Sequence, residues 1–85
     1  MVSNMSNIFV TYYAKQIEYG VLTFEKVLNS EFAKANEGFA DEVLAEILKN
    51  IQDDTYEFTL EDLEVNDVEC ANALKEYATN KEIEL

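Results

Sequence analysis

The sequence predicts a small α+β domain in the order ββααβα, with a short antiparallel sheet packed on helices. Three patterns lead there. A β-branched and aromatic run opens the chain at Ile8-Phe9-Val10-Thr11-Tyr12-Tyr13, apolar residues recur at helical spacing between Phe24 and Ile51, and two-residue alternation appears at Thr55 to Glu61. With 85 residues, 48% of them apolar, the chain is expected to make one domain over residues 1–85 and leaves little room for two.

Residues 8–13 read as a strand with both faces covered, because β-branched and aromatic side chains fit a pleated surface. Residues 17–22 read as its hairpin partner, with Gly20 as a bulge or turn. Thr23 is available to cap a helix in which Phe24, Val27, Leu28, Phe32 and Ala35 share a face. Gly38 marks a break, and Phe39, Ala40, Val43, Leu44, Ile47, Leu48 and Ile51 then form the clearest amphipathic stripe in the chain. Tyr56, Phe58 and Leu60 alternate with Thr55, Glu57, Thr59 and Glu61, the pattern of a half-buried strand with an acidic outer face. The alternation slips at Glu61-Asp62, where Thr59-Leu-Glu-Asp62 resembles a capping box with Asp in place of Glu or Gln. Asn66 or Asp67 caps a last helix that buries Val68, Cys70, Ala71, Leu74, Tyr77 and Ala78. Residues 1–5 and 80–85 are expected to fray. The expected core includes Phe24, Leu28, Phe32, Val43, Leu44, Ile47, Leu48, Phe58, Leu60 and Leu74.

Charge is the most informative feature. Eighteen acids against six lysines, with neither Arg nor His, give a net charge of −12. Residues 1–36 are neutral, with three acids (Glu18, Glu25, Glu31) and three lysines, so the whole surplus lies in residues 37–85. Between Lys49 and Lys75 stand Asp53, Asp54, Glu57, Glu61, Asp62, Glu64, Asp67 and Glu69 without an intervening base. Like charges at such spacing repel, and solubility alone could be had by interleaving them with lysines. An unmixed acidic stretch beside a neutral half is a directional surface suited to a basic partner. Asp53 and Asp54 end the second helix, where the helix dipole disfavours them, whereas Asp67 and Glu69 begin the last one, where it favours them.

The same composition excludes several classes. Direct binding to DNA, RNA or an anionic membrane surface has the wrong electrostatic sign. No apolar run approaches the roughly 20 residues of a membrane span, and no signal peptide is evident, so the chain reads as cytoplasmic. One cysteine, Cys70, allows no intrachain disulfide and no cysteine-based zinc site; on a buried helical stripe and with no His to activate it, it reads as a core residue. Two glycines make no phosphate loop, and the absence of His and Arg removes the usual general base and oxyanion clamp. A calcium loop counted from Asp53 would place Phe58 where the sharp turn needs Gly. No Asp-Ser-Leu site exists for an acyl-carrier role. The chain is expected to be no enzyme and to need no cofactor or metal.

Small size, strong acidity, an α+β pattern and lysine used without arginine, as in AT-rich coding, together resemble phage-encoded anti-defence proteins, among them anti-CRISPR proteins and DNA-mimic inhibitors of restriction enzymes. The stretch Asn7-Ile-Phe-Val-Thr-Tyr-Tyr-Ala-Lys15 resembles the opening strand of ArdA-type antirestriction proteins. The resemblance implies a non-enzymatic inhibitor from a phage or mobile element, monomeric or homodimeric, acting in the bacterial host cell. It would bind a basic nucleic-acid-binding surface of a defence nuclease, first of all a CRISPR effector, whose channels are lined with Lys and Arg. Asp53, Asp54, Glu57, Glu61, Asp62, Glu64, Asp67 and Glu69 are the expected contacts, joined by Tyr56, Tyr12 and Tyr13 where those rings are exposed. Two rivals share this charge: an antitoxin or immunity protein against a basic nuclease toxin, and an acidic phage structural or accessory protein.

Overall fold

The β-branched, aromatic opening is a helix. The structure, a computed structural model that describes residues 4–85, begins with α1 at Asn4–Glu18. Its buried residues Val10, Ala14 and Ile17 are spaced i, i+4, i+7, a helical stripe hidden among residues of high strand propensity. Phe9 and Tyr13, one turn apart, form an adjoining row. The Phe9 ring centroid lies 4.7 Å from Phe32 and that of Tyr13 lies 5.6 Å from Phe39, while Phe32 and Phe39 meet edge to face at 4.7 Å. The rings that argued for a strand at 8–13 instead pack helix against helix, and tertiary contact overrides local propensity.

The expected hairpin return at 17–22 is the end of that helix. Gly20 adopts φ +78°, Val21 N–H donates to Gln16 O at 2.9 Å and Gly20 N–H donates to Ile17 O at 3.0 Å. This is a Schellman closure with Gly at the left-handed position, so the glycine reports a helix stop rather than a strand bulge. The chain continues as α2 (Phe24–Leu28), α3 (Glu31–Ala35), α4 (Phe39–Gln52), α5 (Leu60–Asn66) and α6 (Val68–Asn80). Among the described residues there are six helices and no strand, so the α+β expectation and its ββααβα order are wrong: the domain is all-α.

The helix expected across Phe24 to Ala35 is cut in two. Ser30 ends the first piece by donating its hydroxyl to Val27 O (2.7 Å) and starts the second by accepting from Ala33 N–H (3.1 Å). Thr23 caps α2 as expected, accepting from Lys26 N–H. Capping at the start of α5 also follows the expectation, since Thr59 and Asp62 satisfy each other's backbone N–H groups. The strand expected at Tyr56 to Leu60 is an irregular connector. Its alternation is real in burial, with Tyr56, Phe58 and Leu60 half-buried and Glu57, Thr59 and Glu61 exposed, but residues 57–59 have no strand beside them. An extended segment laid over a core alternates its side chains whether or not its backbone is paired.

α1 lies chiefly against α4, and α6 packs on both α4 and α5. The shared core joins Ile17, Phe39, Val43, Ile47, Leu63 and Leu74, all at 1% exposure or less. Leu28, expected in the core, is 42% exposed at the end of α2, and Val68, expected on the buried side of the last helix, is 62% exposed in the first turn of α6. Phe32, Phe58 and Leu60 are half-buried at its margin. The tail is more ordered than expected. Asn80 is helical, and Ile83 N–H donates to Ala78 O while Glu82 N–H donates to Thr79 O, closing α6 around a left-handed Glu82. Residues 1–3, part of the other segment expected to fray, lie outside the described residues. No helix among the described residues is long and apolar enough to cross a membrane.

Burial separates side chains that the sequence placed together. Ile47→Ala, emptying a fully buried site, should cost about 2–5 kcal/mol, and Leu28→Ala about 1 kcal/mol or less. Urea unfolding of the two variants measures the contrast.

Candidate functional site

The polar centre of the molecule forms where α1 ends. Glu18 follows Ile17 on the helix face turned to α4 and is 4% exposed. Its carboxylate accepts from Asn50 Nδ2 of α4 at 2.8 Å and from the Tyr56 hydroxyl of the connector at 2.7 Å. Its backbone carbonyl accepts from Asn66 Nδ2 of α5 at 3.0 Å. A carboxylate at a helix C-terminus opposes the helix dipole, and a buried one requires donors. Here two neutral side chains supply them, and Lys15 Nζ lies 5.6 Å from the Tyr56 ring centroid. Burial first, then the bond to Glu18, raises the Tyr56 phenol well above its ordinary value.

The eight acids expected to contact a partner fall into two groups. Four are occupied within the fold. Asp67 is buried, accepting from Cys70 N–H (3.1 Å) and from Phe24 N–H (2.7 Å), so one carboxylate caps α6 and holds the start of α2. Asp53 accepts from both the amide and the hydroxyl of Thr55, which hold its carboxyl below the ordinary range. Its place at the end of α4, against the dipole, is explained by this turn. Asp62 closes the capping box, and Glu64 pairs with Lys75 at 2.5 Å. The other four, Asp54, Glu57, Glu61 and Glu69, are exposed and have no ion-pair partner among the described residues.

The sequence shows Glu18 only as a charge of the neutral half and Asn66 only as a cap candidate for the last helix, and the reading above does not single out Asn50. Asn50 carried a usable signal: it falls three residues after Ile47 and seven after Val43, a polar residue on the apolar stripe of α4. Glu18 became readable only once α1 is a helix, four residues after Ala14. Tyr56 is an internal hydrogen-bond donor rather than a free ring, Tyr13 packs on Phe39, and Tyr12 is 51% exposed. Among the described residues no three potential ligands stand close enough together to hold a metal ion. Cys70 is fully buried; burial, then the charge of Asp67, pushes its thiol up to about 12. What the exposed acids offer chemically is negative potential to cationic side chains.

Compared with protein-family models, with curated proteins and with solved structures, the chain matches none. A functional reading therefore rests on the chemistry of its own side chains.

Two outcomes follow from the buried donors. Tyr56→Phe leaves one side of the Glu18 carboxylate without its donor and should cost about 1.5–3 kcal/mol in urea unfolding. Tyr56 and Cys70 are both protonated in the folded state, while the unfolded chain releases those protons near the ordinary values of 10.0 and 9.0. The unfolded state thus binds fewer protons at alkaline pH. Stability is retained below about pH 9 and should fall above it by about 1.4 kcal/mol per pH unit per group. Cys70→Ala should flatten the first part of that decline in a pH series of melting curves.

Proposed function

We propose that the chain is a non-enzymatic inhibitor that docks by charge on the basic nucleic-acid-binding groove of a bacterial defence nuclease, with a CRISPR effector as first candidate. The observation that carries this reading is the unneutralised acid surplus. Fifteen acids and three lysines lie after residue 36. Of the acids there, only Glu46 and Glu64 are ion-paired among the described residues. The fold spends Asp53, Asp62 and Asp67 on turns and caps, and it leaves Asp54, Glu57, Glu61 and Glu69 exposed along one continuous stretch. Carboxylates presented this way steer a cationic groove into encounter and compete there with phosphates. Such a protein would act inside the host cell, beside the nuclease it blocks.

The structure also selects the variants that test the reading. Glu18 belongs to the neutral half, but its burial disqualifies it as a surface control, and reversing Glu64 would set two lysines against each other. Asp54→Lys, Glu57→Lys and Glu61→Lys combined should abolish inhibition of target cleavage by a purified CRISPR effector complex. Reversing exposed Glu25 and Glu31 should have little effect, with helix content checked by circular dichroism. Wild-type inhibition should weaken by about tenfold or more between roughly 50 and 200 mM salt. Salt-independent inhibition, or full activity of the triple reversal, would show that the acidic stretch is only solvated.

A further inference from the structure

Long-range charge speeds encounter, but lasting affinity usually needs an apolar anchor held in a desolvated pocket. One concavity of about 310 Å³ lies where α2, α4 and α6 meet. Its walls are Phe24 and Leu28 from α2, Ala40 and Leu44 from α4, and Ala73 and Tyr77 from α6. Phe24 and Leu44 are buried, whereas Leu28 stands 42% exposed. Exposed Asp41 and Glu76 flank this apolar floor. Lys81 also lines the concavity, its Nζ 5.8 Å from the Tyr77 ring centroid, so that ring already faces a cation and the rim carries two acids against one lysine. The volume is at the bottom of the range for small-molecule sites, a size for one or two side chains rather than a cofactor.

The geometry points to this groove as the anchor site for a basic amphipathic segment of the partner protein, an apolar side chain seated on Phe24, Leu44 and Tyr77 with flanking Lys or Arg on Asp41 and Glu76. The occupant is argued from complementarity: the side chains of Phe24, Leu44 and Tyr77 offer an apolar seat, and a rim with Asp41 and Glu76 against the single Lys81 is net acidic and favours cations beside it. It rests on the charge-docking reading for the partner's sign, and it adds a contact that the segment from Asp53 to Glu69 does not supply. Two small residues, Ala40 and Ala73, keep the groove open.

The probe is a synthetic amphipathic peptide of about 14 residues, with leucines at i, i+4, i+7 spacing and lysines flanking them. Titrated into isotope-labelled protein, it should shift the amide signals of Leu28, Ala40, Ala73 and Tyr77. Replacing its leucines with alanine should weaken binding by about tenfold or more. Ala73→Leu, which fills the groove with a good helix former, should cause a similar loss while leaving the melting temperature unchanged or higher. If that variant fails to fold, Leu28→Ala at the exposed lip decides, with a loss of several-fold expected. Equal binding of the leucine and alanine peptides, or shifts confined to residues 53–69, would overturn the groove and leave charge docking standing. Equal binding of a glutamine-for-lysine peptide would overturn the basic character of the occupant and with it this proposal, while charge docking through residues 53–69 is decided by the salt and reversal series. A homodimer dissolved by Ala73→Leu, with no peptide binding, would make a second copy the occupant and overturn the proposal.

Discussion

The carboxylate of Glu18 is the constraint around which the rest of the structure is arranged. It is buried at the unfavourable end of α1, so the fold holds only if donors arrive from elsewhere in the chain. They arrive 32 and 38 residues later, from Asn50 and Tyr56. The first fixes the rotation of α4 against α1, and the second pins an otherwise irregular connector to the core. Asn66 then reaches the carbonyl of the same residue and brings in α5. A purely apolar contact between α1 and α4 would tolerate sliding or rotation; three hydrogen bonds with fixed directions on one residue do not.

Asp67 does for the remaining helices what Glu18 does for the first. α2 and α3 have five residues each, far below the length at which a helix is stable alone. They exist because their ends are satisfied and one side is covered. Thr23 and Ser30 cap them locally, and Asp67 reaches across 43 positions to the first N–H of α2 while capping α6. Burial, and after it this carboxylate, raises the Cys70 thiol, so that thiol stays protonated as a core group. An acid that sequence alone counts as surface charge is thus a structural joint, and its neighbours must be sorted by hydrogen bonds rather than by sign.

The legible parts of this fold were those whose signal is local and redundant. Seven apolar positions recur in α4 at helical spacing, and the caps at Thr23, Thr59 and Asp67 are side-chain chemistry acting within three residues. The illegible parts required knowledge of distant partners. Val10, Ala14 and Ile17 form a helical stripe of only three residues, outweighed by aromatic neighbours whose purpose is to meet Phe32 and Phe39. The alternation from Tyr56 to Leu60 is equally ambiguous, because strand and unpaired connector share it and only a neighbouring strand distinguishes them. Once residues 8–13 are helical, that neighbour does not exist. The acidic stretch was legible as charge, but its division into occupied and free carboxylates was not.

That division bears on what the free acids are for. Among the described residues, both non-glycine residues with positive φ are glutamates, Glu57 at +62° and Glu82 at +59°. Left-handed backbone costs an ordinary residue about 1–2 kcal/mol and costs glycine nothing comparable. Glu82 occupies the closing position of α6, where glycine is the usual choice, and Glu57 lies between two inward-facing side chains on an exposed turn of the connector. Neither carboxylate has an ion-pair or hydrogen-bond partner among the described residues. Two positions that favour glycine conformationally therefore carry charge that does nothing visible for the fold. Local stability gives no reason for that choice; under the charge-docking proposal, a surface whose carboxylates meet a cationic partner would supply one.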